Sequence, residues 1–136
     1  LSNGVNYIEQ AIKIAARKKI NLKDLKPKFF KIISNKNFFL PEGKLEKISG
    51  IKKLRKINEI NKINFYYELN SKIPKIDSHG KRVGVFIVMG NKESNVRKII
   101  DKVYNTVKFK VSNKWYYGHP QVLRKKTSNF KTINLM

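Results

Sequence analysis

The sequence predicts an α+β domain, a mainly antiparallel sheet with helices packed on one side. Three observations carry this prediction. Apolar residues recur at helical spacing in two separate stretches, Val5 to Ala16 and Val96 to Val107. Between them they alternate with period two, from Ile63 to Leu69 and from Val83 to Met89. The chain has 136 residues, 40% of them hydrophobic and 11% aromatic, which suits one domain with a modest core.

The elements follow in order. Asn6 suits a helix cap, because its side chain can accept from the open N–H groups of the first turn, and Glu9 stands three residues on. Val5, Ile8, Ala11, Ile12, Ala15 and Ala16 then form an apolar stripe, with Arg17-Lys18-Lys19 expected in the last turn beside the negative end of the dipole. Asn21 to Pro27 reads as a linker. Lys28 to Leu40 reads as two strands or one long bent strand, ended by Pro41-Glu42-Gly43. Lys44 to Ile48 is a short strand, Ser49-Gly50 a turn, and Ile51, Leu54 and Ile57 predict a short helix. In the next strand Ile63, Phe65, Tyr67 and Leu69 share one face, with Asn64, Tyr66 and Glu68 on the other. Ser71 to Lys81 is a loop. Val83 to Gly90 is apolar on both faces and reads as a central strand. Glu93 to Val107 gives the cleanest helix, and Val107, Phe109 and Val111 an edge strand. From Ser112 onward Trp115-Tyr116-Tyr117 and a basic stretch show no period. The division is therefore a domain over 1–111 and a basic, aromatic tail over 112–136. Leu1 in place of an initiator Met, close ahead of a helix, reads as a fragment of a longer protein.

Lys and Arg total 31 against 9 Asp and Glu, a formal charge of +22. Such a chain attracts polyanions by counterion release. The excess is 26 Lys to 5 Arg, however, and Arg is the residue of bidentate phosphate and base contacts. Lys, Ile and Asn together are also what A+T-rich codons produce, and the lysines are spread along the chain. The denser groups, Lys52-Lys53 with Arg55-Lys56 and Arg124-Lys125-Lys126, are short. A solvated basic surface is the first reading and a nucleic-acid footprint the second. Cysteine is absent, which rules out disulfides and thiolate metal sites and fits a cytoplasmic protein. No apolar run approaches the ~18 residues of a membrane span.

Few catalytic patterns survive inspection. His79 and His119 are the only histidines and lack helical metal spacing. The nine carboxylates are scattered, and Ser78 beside His79 is not how a nucleophile and its base converge. Gly84 and Gly90 flank a strand without a phosphate-loop motif; Gly90-Asn91-Lys92 ahead of the Glu93 helix is an ordinary turn first and an anion site second. Tyr66 and the Trp115-Tyr116-Tyr117 run are base-stacking candidates, whereas Phe65 and Tyr67 belong with the core. No residue is assigned a catalytic, cofactor-binding or metal role.

Three segments together resemble the C-terminal part of the ATP-grasp ligase superfamily, its L-amino-acid ligase and carboxylate–amine ligase branch. Gly4-Val5-Asn6-Tyr7-Ile8-Glu9-Gln10-Ala11-Ile12-Lys13-Ile14-Ala15 is similar to the helix that follows the family's active-site strand. Phe39 to Gly50 resembles a strand–turn–strand ending in Gly. Lys81-Arg82-Val83-Gly84-Val85-Phe86-Ile87-Val88-Met89-Gly90, with the Glu93 helix after it, looks like the family's R-x-G strand and helix. Their order covers about Gly4 to Val107. Departures are Asn6 where Asp is usual and Lys18-Lys19 where the helix typically ends in Gly. The resemblance implies a parent that activates a carboxylate as an acyl phosphate with ATP and Mg²⁺ and couples it to an amine. It also implies that the metal-binding acidic residues and an E-x-N-x-R strand precede Leu1. On that reading this fragment is a lid or buttress, inactive alone, whose partner is the remainder of the ligase; a homo-oligomer stays open. The alternative is a non-catalytic basic α+β module that binds nucleic acid.

Overall fold

The computed structural model describes residues 3–120. Helix α1 spans Tyr7–Ala15. The Asn6 side chain accepts from the Glu9 N–H at 3.1 Å and donates to the Glu9 carboxylate at 3.3 Å, so the expected cap forms. The helix stops just short of the basic cluster: it ends at Ala15, Arg17 already has φ 54°, and Lys13 is the cation of the last turn, 2.7 Å from Glu9. A 3₁₀ turn, Leu22–Leu25, capped by Asn21, occupies the expected linker.

Strand β1, Ile32–Phe38, is single, and Phe29 and Phe30 stand exposed before it. Strand β2 covers Gly43–Ser49, the one-turn helix α2 Ile51–Leu54, and strand β3 Ile60–Phe65. Within the predicted loop lie the two-residue strand β4, Lys72–Ile73, and a 3₁₀ turn, His79–Lys81. Strand β5 is Gly84–Gly90 and helix α3 Glu93–Thr106. Strands β6, Lys108–Val111, and β7, Lys114–Tyr117, form a hairpin turned by Ser112 and Asn113, at φ 46° and 67°. The stretch expected as a tail from Ser112 thus begins as a strand, and 121–136 lie outside the described residues.

The strands form two antiparallel sheets, ordered β1-β5-β3 and β4-β2-β6-β7. β5 is central, as its two apolar faces predict. β6 is interior, against the edge expected of it, because β7 covers its far side. The sheets meet where the Phe39 N–H donates to the Gly118 carbonyl at 3.1 Å. The register sets Phe38 and Phe65 on either side of Gly84, where a Cβ would meet the Asn64 carbonyl and the Phe65 ring. Gly84 therefore lets three strands close up around their aromatic neighbours.

Helix α3 lays Val96, Ile99, Val103 and Tyr104 inward. Phe38 has no exposed surface and sits 5.0 Å from the Phe86 ring, 5.3 Å from Phe109 and 5.9 Å from Tyr104. Both sheets and α3 thus share one core around this ring. Helix α1 takes no part in it. The expected buried stripe is inverted: Ile8 and Ile12 are 76% and 63% exposed, and Gln10 is the buried residue of the helix.

Candidate functional site

The described residues offer three places to inspect, beginning with the histidines. The backbone of His79 opens a 3₁₀ turn, and its imidazole lies outside the described part. The His119 ring lies tilted against Tyr104, with centroids 4.7 Å apart. The Tyr104 hydroxyl donates to the Asn37 carbonyl at 2.9 Å, and burial pushes its pKa up to about 12, so it stays a neutral hydrogen-bond donor. The Tyr104 and His119 rings thus pack against each other. Among the described residues no three His, Asp or Glu side chains gather where they could hold a metal ion. They do not fit the oxygen shell that Mg²⁺ requires.

The second place is the end of β5. Gly90, Asn91 and Lys92 line an open groove of about 500 Å³ together with Lys31, Glu59 and Asn95. Lys92 occupies the N-cap of α3 without a side-chain cap, and Asn95 donates to the Glu59 carboxylate at 3.4 Å. The turn at Gly90-Asn91 thus leads into α3 without the side-chain cap expected of it.

The third place is the outer face of the second sheet. The sequence offers Trp115 and Tyr117 as stacking candidates but not the lysines set against them, while Tyr116 falls on the opposite face and packs against the core. Cross-strand register aligns Lys47 with Lys110 and Trp115, and Ser49 with Lys108 and Tyr117. The opposite face carries Leu45, Phe109 and Val111 into the core. Three lysines and two rings therefore share one outer face, with the Lys108 ammonium 5.8 Å from the Tyr117 ring. Directly opposed like charges repel across a ladder. Glu46, 3.2 Å from Lys110, offsets part of this. The period-two pattern of Lys108 and Lys110, set against Trp115 and Tyr117 across a Ser-Asn turn, was the available signal. Tyr66 is 47% exposed, with the Arg82 guanidinium 5.6 Å from its ring, while Phe65 and Tyr67 pack against the core. Arg55 and Lys52-Lys53 are exposed around α2; Arg124-Lys125-Lys126 lie outside the described residues. No helix among the described residues is long and apolar enough to cross a membrane.

Comparison with known proteins accounts for the fold. A family model described as L-amino acid ligase C-terminal domain 2 matches residues 37–112, more than half of the chain. The crystal structure of phosphoribosylglycinamide synthetase from Anaerococcus prevotii is similar at TM-score 0.66 and 19% identity, over 82% of this chain and 28% of that one. The crystal structure of L-amino acid ligase from Bacillus licheniformis is similar at TM-score 0.65 and 14% identity, again over 82% and 28%. No curated protein sequence matches. The chain thus spans under a third of the length of either neighbour. By its family match the chain belongs to the L-amino acid ligase C-terminal domain 2 family.

Proposed function

We propose that this chain serves as the lid or buttress of an ATP-dependent carboxylate–amine ligase that works in the cytoplasm. The observation that carries the reading is the family match over 37–112, the segment that contains both sheets but for the outer strand β7 and all of β1 before Asn37. In such a parent a carboxylate oxygen attacks the terminal phosphorus of ATP and ADP departs. The amine then attacks the acyl carbon, and phosphate leaves with one carboxylate oxygen. None of the side chains described above is placed in that chemistry. Their role is to hold a rigid wall at the substrate cleft, against which the nucleotide-binding lobe closes.

The test uses the full-length polypeptide and an amino acid labelled with ¹⁸O in its carboxylate. Transfer of label into the released phosphate, dependent on a second amino acid, supports the reading; unlabelled phosphate overturns it. The 136-residue chain alone should hydrolyse ATP no faster than a buffer control containing Mg²⁺.

A second reading, a nucleic-acid-binding module, is favoured by the Lys47, Lys108, Lys110, Trp115 and Tyr117 face. Rings flanked by cations on a sheet are a platform for unpaired bases. Trp115 is the single tryptophan of the chain and reports directly. Quenching of its emission by a single-stranded oligonucleotide, with affinity falling steeply as salt rises, supports this reading. An unchanged spectrum removes it.

A further inference from the structure

Helix α1 is docked the wrong way round for a helix of its composition. Its apolar side chains point out and a polar one points in. Tyr7 and Ile14 are 54% and 59% exposed beside Ile8 and Ile12, while Gln10 is only 6% exposed and its side-chain oxygen has no hydrogen-bond partner. An amphipathic helix normally turns its stripe toward whatever buries it. The stripe also has company. Of the ten large hydrophobic side chains exposed among the described residues, eight lie between Tyr7 and Ile32, with Leu22 at 72% and Phe30 at 81%. Beside them an open groove of about 620 Å³ runs between Tyr7, Ile8, Phe29 and Met89. All of the eight precede residue 37, where the family match begins. A concentration of exposed apolar surface on this scale marks an interface.

The geometry points to one occupant: the part of the same ligase polypeptide that precedes this subdomain, seated on the α1 stripe and the adjoining groove of Tyr7, Ile8 and Phe29 through an apolar patch rimmed by carboxylates. This deepens the reading above and rests on it. Two observations choose the occupant. The fold neighbours are more than three times as long as the portion this chain matches, and the matched family is a C-terminal domain, so the remainder of such a ligase lies on the N-terminal side. The charge around the stripe decides against a second copy. From Lys13 to Lys31 the segment carries eight cations, with Glu9 and Asp24 the only carboxylates between Asn3 and Ile32. Two such surfaces, each on a chain of +22, repel one another, whereas an acidic rim is drawn in.

Hydrogen exchange on the 136-residue chain and on the full-length polypeptide tests this. In the 136-residue chain the α1 amides are expected to exchange at least 10-fold faster than those of α3. In the full-length polypeptide they should slow by at least 10-fold. The double variant Ile8→Asp/Ile12→Asp should restore fast exchange in α1 and leave β5 and α3 protected. Strong α1 protection in the short chain, or fast α1 exchange in the full-length one, overturns the inference. So does a concentration-dependent dimer of the short chain that the double variant abolishes, since a second copy would then be the occupant. Slow α1 exchange in a full-length polypeptide that transfers no ¹⁸O to phosphate would leave the interface standing and remove the ligase reading instead.

Discussion

At Gly50 the chain passes from β2 into α2 with φ 90°, and a Cβ there would be driven onto the Thr106 carbonyl oxygen. Both the left-handed backbone and the close approach require glycine. Gly50→Ala should lower stability by about 2 kcal/mol, read as a lower urea midpoint at unchanged slope. A neutral result would mean that α2 and the end of α3 shift apart easily. Tyr104 gives a second residue-scale prediction. Its neutral phenol is favoured by the fold, so its contribution is complete below the ordinary tyrosine pKa of ~10 and is lost as pH rises through about 12. Wild type should therefore lose more stability between about pH 9 and 12 than Tyr104→Phe does. At neutral pH the variant should be weaker by about 1 kcal/mol, for the bond to the Asn37 carbonyl. Parallel pH curves for the two proteins would exclude Tyr104 as the group responsible. In the sequence Gly50 was legible as a turn residue, but nothing near it announces Thr106, fifty-six positions away and brought close only by the fold.

Elements were legible where the local pattern and the tertiary environment agree. Val96, Ile99 and Val103 fall at helical spacing and all three are buried; Phe65 alternates with exposed Asn64 and Tyr66. They were illegible where pairing is made by distant residues. β4 is two residues long and exists because Gly43 and Lys44 offer it a partner. β7 follows a Ser-Asn turn with no glycine to mark it, and its presence is what makes β6 interior. Helix α1 is the instructive case. Its period was read correctly and its burial was not, because amphipathy shows that a helix has a stripe without showing what covers it. The difference is measurable in the 136-residue chain. Ile12→Ala should change stability by less than about 0.5 kcal/mol, whereas Ile99→Ala, in α3, should cost about 2 kcal/mol or more. Equal costs would show that α1 is buried within this chain.

At the scale of the molecule, charge outweighs any single contact. Only four ion pairs occur among the described residues, three of them between residues four apart in sequence, against a net charge of +22. Exposed pairs of this kind contribute little, while the unpaired lysines repel one another over about a Debye length. Added salt should therefore stabilise the chain: its Tm is expected to rise by a few degrees between low ionic strength and about 0.5 M NaCl, and a falling Tm would mean that favourable pairs dominate. Fold class and the family resemblance were legible at this scale from Phe39 to Gly50 and from Arg82 to Gly90, whereas the split into two sheets was not. That split is bridged by more than one ring, Phe65 of the first sheet standing 5.8 Å from Phe109. Phe38 belongs to the first sheet yet touches Phe109 of the second, so neither half can melt and leave its neighbour standing. Heat or urea meets an all-or-none object, in which Trp115 emission and backbone dichroism trace the same curve.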